Sequence, residues 1–307
     1  MLDKEIRREL PEAWKGIVPT EVFLRQAETI VEDAEKQGLI LRIMGGLGVA
    51  RHCQEFRDFA MKLGRVGTGV VEGQEYSDID FMSYRQHRGM IKEFFGEMGY
   101  AKRRATLSSA ASERQIYYHP KGWFYVDVFY DKLIVANHPV DFKGRLELDC
   151  PTISVTDLLL EKIQMWEAFS IKDLKDCFVL LRAHKVEEEG VKESIDAAYV
   201  AQLLAKDWGF WYTATTNLRK IGRFIAEMDR LGSEVGIDPR HFKKEDREKI
   251  TGKVESLLDR IDREPKSFKW RLRSKAGTKK RWYNPVERPE TVSGFGIWDA
   301  ILQKDQP

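Results

Sequence analysis

Long apolar runs are what this sequence most plainly lacks. No stretch approaches the roughly 18 consecutive apolar residues that mark a membrane-spanning helix, so no membrane partner is expected. Cysteine is scarce as well: Cys53, Cys150 and Cys177 stand far apart, with no C-x-x-C pair. An odd, scattered set argues against a zinc ribbon and against a disulfide framework, and fits a reducing compartment. The opening residues "MLDKEIRREL" have no apolar core of a signal peptide, and the expected location is cytoplasmic. An excess of one charge is missing too. Lys and Arg number 51 against 49 Asp and Glu, so net charge alone points to no nucleic-acid or membrane surface. Internal repeats and low-complexity segments are absent.

What is present is enough chain, 307 residues with 42% hydrophobic, to bury a core without staples. The patterning predicts a helix over 21–37, with Thr20 as cap and Gly38 as stop. "LILRIMGG" reads as a strand running into two glycines. Apolar spacing predicts a helix over 49–63, followed by the glycine-rich connection "GRVGTGVVEGQEY". "SDIDFMSY" is the next strand and 87–98 the next helix. "RQIYYH" and "WFYVDVFY" flank "HPKG", a turn signature, and read as a hairpin.

After Pro151 the pattern turns helical, starting at "SVTDLLLEKIQMWEAFS" with Ser154 or Thr156 as caps. Helices continue to about residue 228, with breaks near Gly190 and Gly209. A charged helix is predicted over 244–263. The segment "KSFKWRLRSKAGTKKRWYNP" is basic with interleaved aromatics, and makes the C-terminal part the more basic one. The expected class is α/β in the α+β sense: a mixed sheet with flanking helices over 1–150, a helical domain over 151–235, and a charged helix with a basic segment over 236–307.

The chemistry lies in misplaced carboxylates. Asp78 and Asp80 sit one residue apart in an apolar strand and therefore share a face. Asp127 is the one charge within "WFYVDVFY". Burying such groups is costly unless they are paired or bind a cation. Oxygen-only ligation favours Mg²⁺ or Mn²⁺ over zinc. Upstream, Gly45 and Gly46 join a strand to a helix, a turn that leaves backbone N–H groups for phosphates. Taken singly, the Asp-x-Asp pair fits a strand end with solvated carboxylates, and the glycines fit a plain turn. Taken in order with Asp127, they favour a site. His52 and Cys53, as helical neighbours, point about 100° apart and are not expected to share a metal ion.

This order resembles the nucleotidyltransferase (polymerase-beta-like) superfamily: a strand ending in Gly-Gly, a helix, Asp-x-Asp on the next strand, a third aspartate on a later one. The resemblance is closest to the AbiEii-like toxins and the antibiotic nucleotidyltransferases, and covers roughly residues 38–182. The stretch "LLLEKIQMWEAFSIKDLKDCFVLL" is similar to that group's pattern through Lys162, Lys172, Asp173 and Asp176.

The resemblance implies a nucleotidyltransferase-like fold and Mg²⁺-dependent transfer of NMP from an NTP to a hydroxyl on an RNA end, a protein or a small molecule. Asp78, Asp80 and Asp127 would hold the metal, and Asp127 would help deprotonate the acceptor. Gly45, Gly46 and Lys162 would bind the nucleotide phosphates, with Asp173 and Asp176 in support. A toxin role would bring an antitoxin protein as partner. The rival reading is a catalytically silent nucleotide- or RNA-binding module on the same fold. "WGFWY" at 208–212 fits either a stacking platform for a base or a packed helix junction. The basic segment fits either a grip on RNA phosphates, or a solvated tail or an edge packed on the second domain.

Overall fold

A computed structural model of the chain describes residues 9–64, 73–103, 114–133, 137–167, 169–190 and 192–285. It divides into two compact units. The first takes Met1–His52, Val66–Ile134 and Asp141–Ser154, and the second takes Cys53–Arg65, Val135–Val140 and Val155–Pro307. Most of the connection "GRVGTGVVEGQEY" lies outside the described residues.

In the first unit the order is α1 (Thr20–Lys36), β1 (Leu41–Ile43), α2 (Gly45–His52), β2 (Asp78–Ser83), α3 (Arg88–Glu97), β3 (Ala101–Lys102), β4 (Arg114–Tyr118) and β5 (Tyr125–Tyr130). The strands form one sheet in the order β1-β2-β5-β4-β3. β2 and β5 run parallel and the other neighbours antiparallel, so the sheet is mixed.

One face of the sheet is apolar because β2 and β5 alternate in register. Ile79, Phe81, Val126 and Val128 are wholly buried, with Tyr117 and Tyr130 beside them. α1 buries Phe23, Ala27, Ile30, Val31 and Ala34, positions three or four apart that make one helical stripe. α3 adds Ile91, Phe94 and Phe95, with Phe95 stacked on Tyr117 at 4.4 Å. α1 ends where Gly38 turns left-handed (φ 71°) and Leu39 N–H returns to the Ala34 carbonyl at 2.9 Å. The outer edge of β1 is paired as well. Ile43 N–H donates to Pro151 O and Ile153 N–H to Ile43 O, at 2.9 and 3.0 Å. The "HPKG" hairpin forms as its residues require: Gly122 sits at φ 65° and donates to His119 O at 2.8 Å.

The second unit is mainly helical: α4 (Val155–Ile163), α5 (Ile171–Ala183), the parallel pair β6 (Lys185–Glu187) and β7 (Ser194–Asp196), α6 (Ala197–Leu204), α7 (Trp208–Ala226), α8 (Lys244–Arg263) and α9 (Phe268–Ser274). α8 buries Ile250, Val254, Leu257 and Ile261 and packs on α5, α6 and α7. Asn217 on α7 donates to the carbonyls of Ile163 (3.0 Å) and Met165 (2.6 Å), which satisfies the end of α4.

Three expected boundaries shift. The helix expected over 49–63 is two, Gly45–His52 in the first unit and Arg57–Lys62 in the second, parted at Cys53. The break expected near Gly190 holds the strand pair β6–β7. Gly209 lies in the first turn of α7, and the break precedes it, at Lys206 and Asp207.

Candidate functional site

β1 ends at Ile43, and the chain turns at once into α2. Met44 N–H donates to Asp80 O at 2.9 Å, which ties the turn to β2. Gly45 is required there twice over. Its φ of 65° lies in the left-handed region, and a Cβ would stand 2.8 Å from Asp80 Oδ2. Gly46 follows in the first turn of α2 and is partly exposed. First-turn amides of a helix have no acceptor within the helix; Gly48 N–H returns to Met44 O at 3.2 Å.

The three aspartates stand on the face of the sheet opposite the apolar one. β2 alternates: Asp78 and Asp80 are half-buried while Ile79 and Phe81 are fully buried. In the parallel register Asp78 pairs with Tyr125 and Asp80 with Asp127. Directly paired residues share a face, so Asp80 and Asp127 lie side by side and Asp78 lies one step along. Ser77 Oγ donates to Asp78 Oδ1 at 3.0 Å.

Asp127 is the deepest of the three, at 4% exposure. Arg114 Nη1 donates to its Oδ2 at 2.7 Å, while its Oδ1 is buried without a hydrogen-bond partner among the described residues. Burial pushes the Asp127 carboxyl up to about 6 against the pull of Arg114, and Asp78 adds to the rise. Tyr125 feels the same negative surroundings. Its phenol is raised by burial first, then by Asp78 and Asp127, with a smaller push from Asp80. An oxygen-only donor set with one buried, unpartnered carboxylate oxygen suits a hard divalent cation of the Mg²⁺ or Mn²⁺ type.

Lys162, Asp173 and Asp176 form a separate cluster within the second unit. Lys162 Nζ on α4 lies 3.3 Å from Asp176, 3.6 Å from Asp173 and 3.4 Å from Glu161. Asp176 is wholly buried. Asp173 also closes the capping box of α5, where its carboxylate accepts from Ser170 N–H at 3.1 Å and Ser170 Oγ accepts from Asp173 N–H at 3.2 Å. Lys172, in the first turn of α5, is partly exposed.

Two neighbours of the aspartates escaped the sequence reading, Arg114 and Tyr125. The hairpin held the signal. Pairing Tyr118 with Tyr125 across "HPKG" sets Ile116 opposite Asp127 and Arg114 one diagonal step away. His52 and Cys53 part as expected. His52 Nε2 meets Thr152 Oγ1 at 2.6 Å within the first unit, and the buried Cys53 thiol lies 3.4 Å from His184 Nε2 within the second. "WGFWY" is a packed junction: Trp208 stacks on Tyr212 at 5.2 Å, and Trp211 meets Trp270 edge-on at 5.0 Å.

Comparison with family models, curated proteins and solved structures finds no match to this chain.

Proposed function

We propose that the chain is a metal-dependent nucleotidyltransferase of the polymerase-beta-like kind, moving NMP from an NTP to a hydroxyl acceptor. The observation that carries this reading is the shared sheet face of Asp78, Asp80 and Asp127, with Gly45 pressed against the Asp80 carboxylate. Carboxylates crowded on adjacent strands repel one another, and a bound cation relieves the repulsion. A divalent ion held there supplies Lewis-acid polarisation of the phosphoryl oxygens and a more acidic acceptor hydroxyl.

The chain's own residues do the rest. Asp78 and Asp80 supply fixed negative charge beside the phosphate turn. The first turn of α2 receives phosphate oxygens, and glycine at 45 and 46 lets them approach the backbone. Asp127, beside that ion, would help take the proton of the acceptor hydroxyl. Arg114 holds Asp127 in place through one oxygen and leaves the other open to the cation. The acceptor oxygen bonds to the α-phosphorus, the bond from that phosphorus to the β-phosphate bridge breaks, and pyrophosphate leaves. Lys162 is assigned to the triphosphate by the AbiEii-like resemblance, and the toxin role with an antitoxin partner rests on that resemblance too.

The test is calorimetric titration of Mn²⁺ with a non-hydrolysable NTP analogue. Wild type is expected to bind both, and Asp78→Asn and Asp80→Asn to lose the Mn²⁺-dependent part. Equal binding by all three proteins overturns the reading.

A further inference from the structure

The second unit holds a basic cleft that the transfer reading leaves unused. Its volume is about 490 Å³, and its walls include Lys206, Trp208, Lys269, Arg273, Arg281 and Tyr283. One wall is the segment 281–284, which is firmly tied. Asn284 N–H donates to Asn137 O at 2.9 Å, and Asn137 Nδ2 donates back to Asn284 O at 2.7 Å. Trp282 Nε1 donates to Thr213 Oγ1 at 3.2 Å and Tyr283 Oη to Glu167 Oε1 at 2.7 Å. Gly209 admits the segment, since a Cβ there would stand 2.4 Å from the Trp282 carbonyl oxygen.

The cleft's charge is not neutralised. Arg273 lies 4.7 Å over the Trp208 ring and donates to the carbonyls of Gly277 and Lys280, at 2.9 and 2.6 Å, all uncharged partners. Lys206, Lys269 and Arg281 are exposed, and none has an ion-pair partner among the described residues. Asp207, the carboxylate in the wall, is taken up in capping α7, where its Oδ1 accepts from Phe210 N–H at 3.0 Å. The basic run extends past the cleft. Residues 265–286 contain eight Lys and Arg and no Asp or Glu, so the rest of a chain of net charge +2 is negative. A single phosphate needs far less, and charge segregated in this way suits an extended polyanion. Trp208 is not itself a stacking platform, because Arg273 lies over its ring and Tyr212 stacks on it.

We propose that this cleft and the adjoining α9 bind a nucleic-acid strand through its phosphates, with little regard to base. The test uses the full chain and a labelled single-stranded oligonucleotide of mixed sequence, titrated by anisotropy at several salt concentrations. Replacing Lys206, Lys269 and Arg281 by Ala is expected to weaken binding at least tenfold and to flatten the log–log salt slope by about 2, given roughly 0.7 per phosphate contact on a single strand. Lys206→Arg with Lys269→Arg should keep wild-type affinity, as should the control Lys244→Ala with Lys249→Ala on α8. Inorganic triphosphate should displace the strand only at concentrations far above those of unlabelled oligonucleotide. An unchanged affinity and salt slope in the triple variant overturns the proposal, and so does displacement by triphosphate at oligonucleotide-like concentration.

Discussion

Asp80 and Asp127 occupy the same register position on the parallel strands β2 and β5, so their carboxylates leave one face of the sheet as direct neighbours. Without a cation this adjacency costs the fold electrostatic energy. Asp80→Asn removes a charge and keeps the shape. The metal-free variant is expected to melt at the wild-type temperature or above it. Mg²⁺ with NTP should raise the wild-type Tm, because a ligand bound only by the folded state stabilises it, and the rise should shrink in the variant. A thermal melt with and without ligand reads both effects. A metal-free variant that melts well below wild type makes Asp80 a structural hydrogen-bonding group instead.

The two glycines of the turn should separate stability from binding. Gly45→Ala puts a Cβ in a left-handed position and against Asp80 Oδ2, and is expected to cost at least 1–2 kcal/mol in denaturant unfolding. Gly46 is outside the left-handed region, so Gly46→Val is spared that backbone strain. It should leave Tm nearly unchanged while reducing NTP affinity, measured by calorimetry with Mg²⁺. Equal NTP binding by Gly46→Val and wild type removes the phosphate turn from the account.

Much of this was legible in the sequence, and the reasons are local. β2 and β5 announced themselves by placing single carboxylates in apolar alternation. The α8 bounds, Lys244–Arg263, match the expected helix because its four buried apolar positions keep helical spacing. The break at Cys53 was not legible. No glycine or proline marks it, and the two helices it parts are packed in different units. β6 and β7 were missed because "KVE" and "SID" are too short and too polar to show a period. Arg114 was overlooked because it is two residues from the position directly opposite Asp127, a diagonal that pairing alone reveals.

Lys162 offers a structural test. Its ammonium lies 3.3 Å from the wholly buried Asp176. Lys162→Ala removes a buried cation from beside that carboxylate, and a loss of about 3–5 kcal/mol is expected in denaturant unfolding. Adding Asp176→Asn should restore part of it. A Lys162→Ala protein as stable as wild type shows that Asp176 is solvated or otherwise satisfied.

Acid should loosen the second unit through His138. The imidazole is buried, stacks on Phe210 at 5.3 Å and shares a 2.8 Å hydrogen bond with Thr213 Oγ1. Burial lowers its pKa to about 4 from an ordinary 6.5, with a smaller opposing pull from Asp207. The folded state therefore resists a proton that the unfolded chain accepts. The stability tied to a neutral ring is present above pH 6.5 and lost as pH falls towards 4, on the order of 3 kcal/mol. His138→Gln should flatten this part of the pH–stability curve. An equally steep curve in the variant assigns the acid sensitivity to other groups.

Nucleotide transfer reads the chemistry of the three aspartates without an intermediary. Wild type and Asp80→Asn are incubated with Mg²⁺, NTPs labelled on the α-phosphate, and a cell lysate as the source of acceptors. Wild type is expected to leave label on an acceptor and to release pyrophosphate, with both signals falling to background in the variant. Label transferred by Asp80→Asn at the wild-type rate, or no transfer by wild type with any of the four NTPs, would contradict the assignment of Asp78, Asp80 and Asp127 as a nucleotidyl-transfer centre.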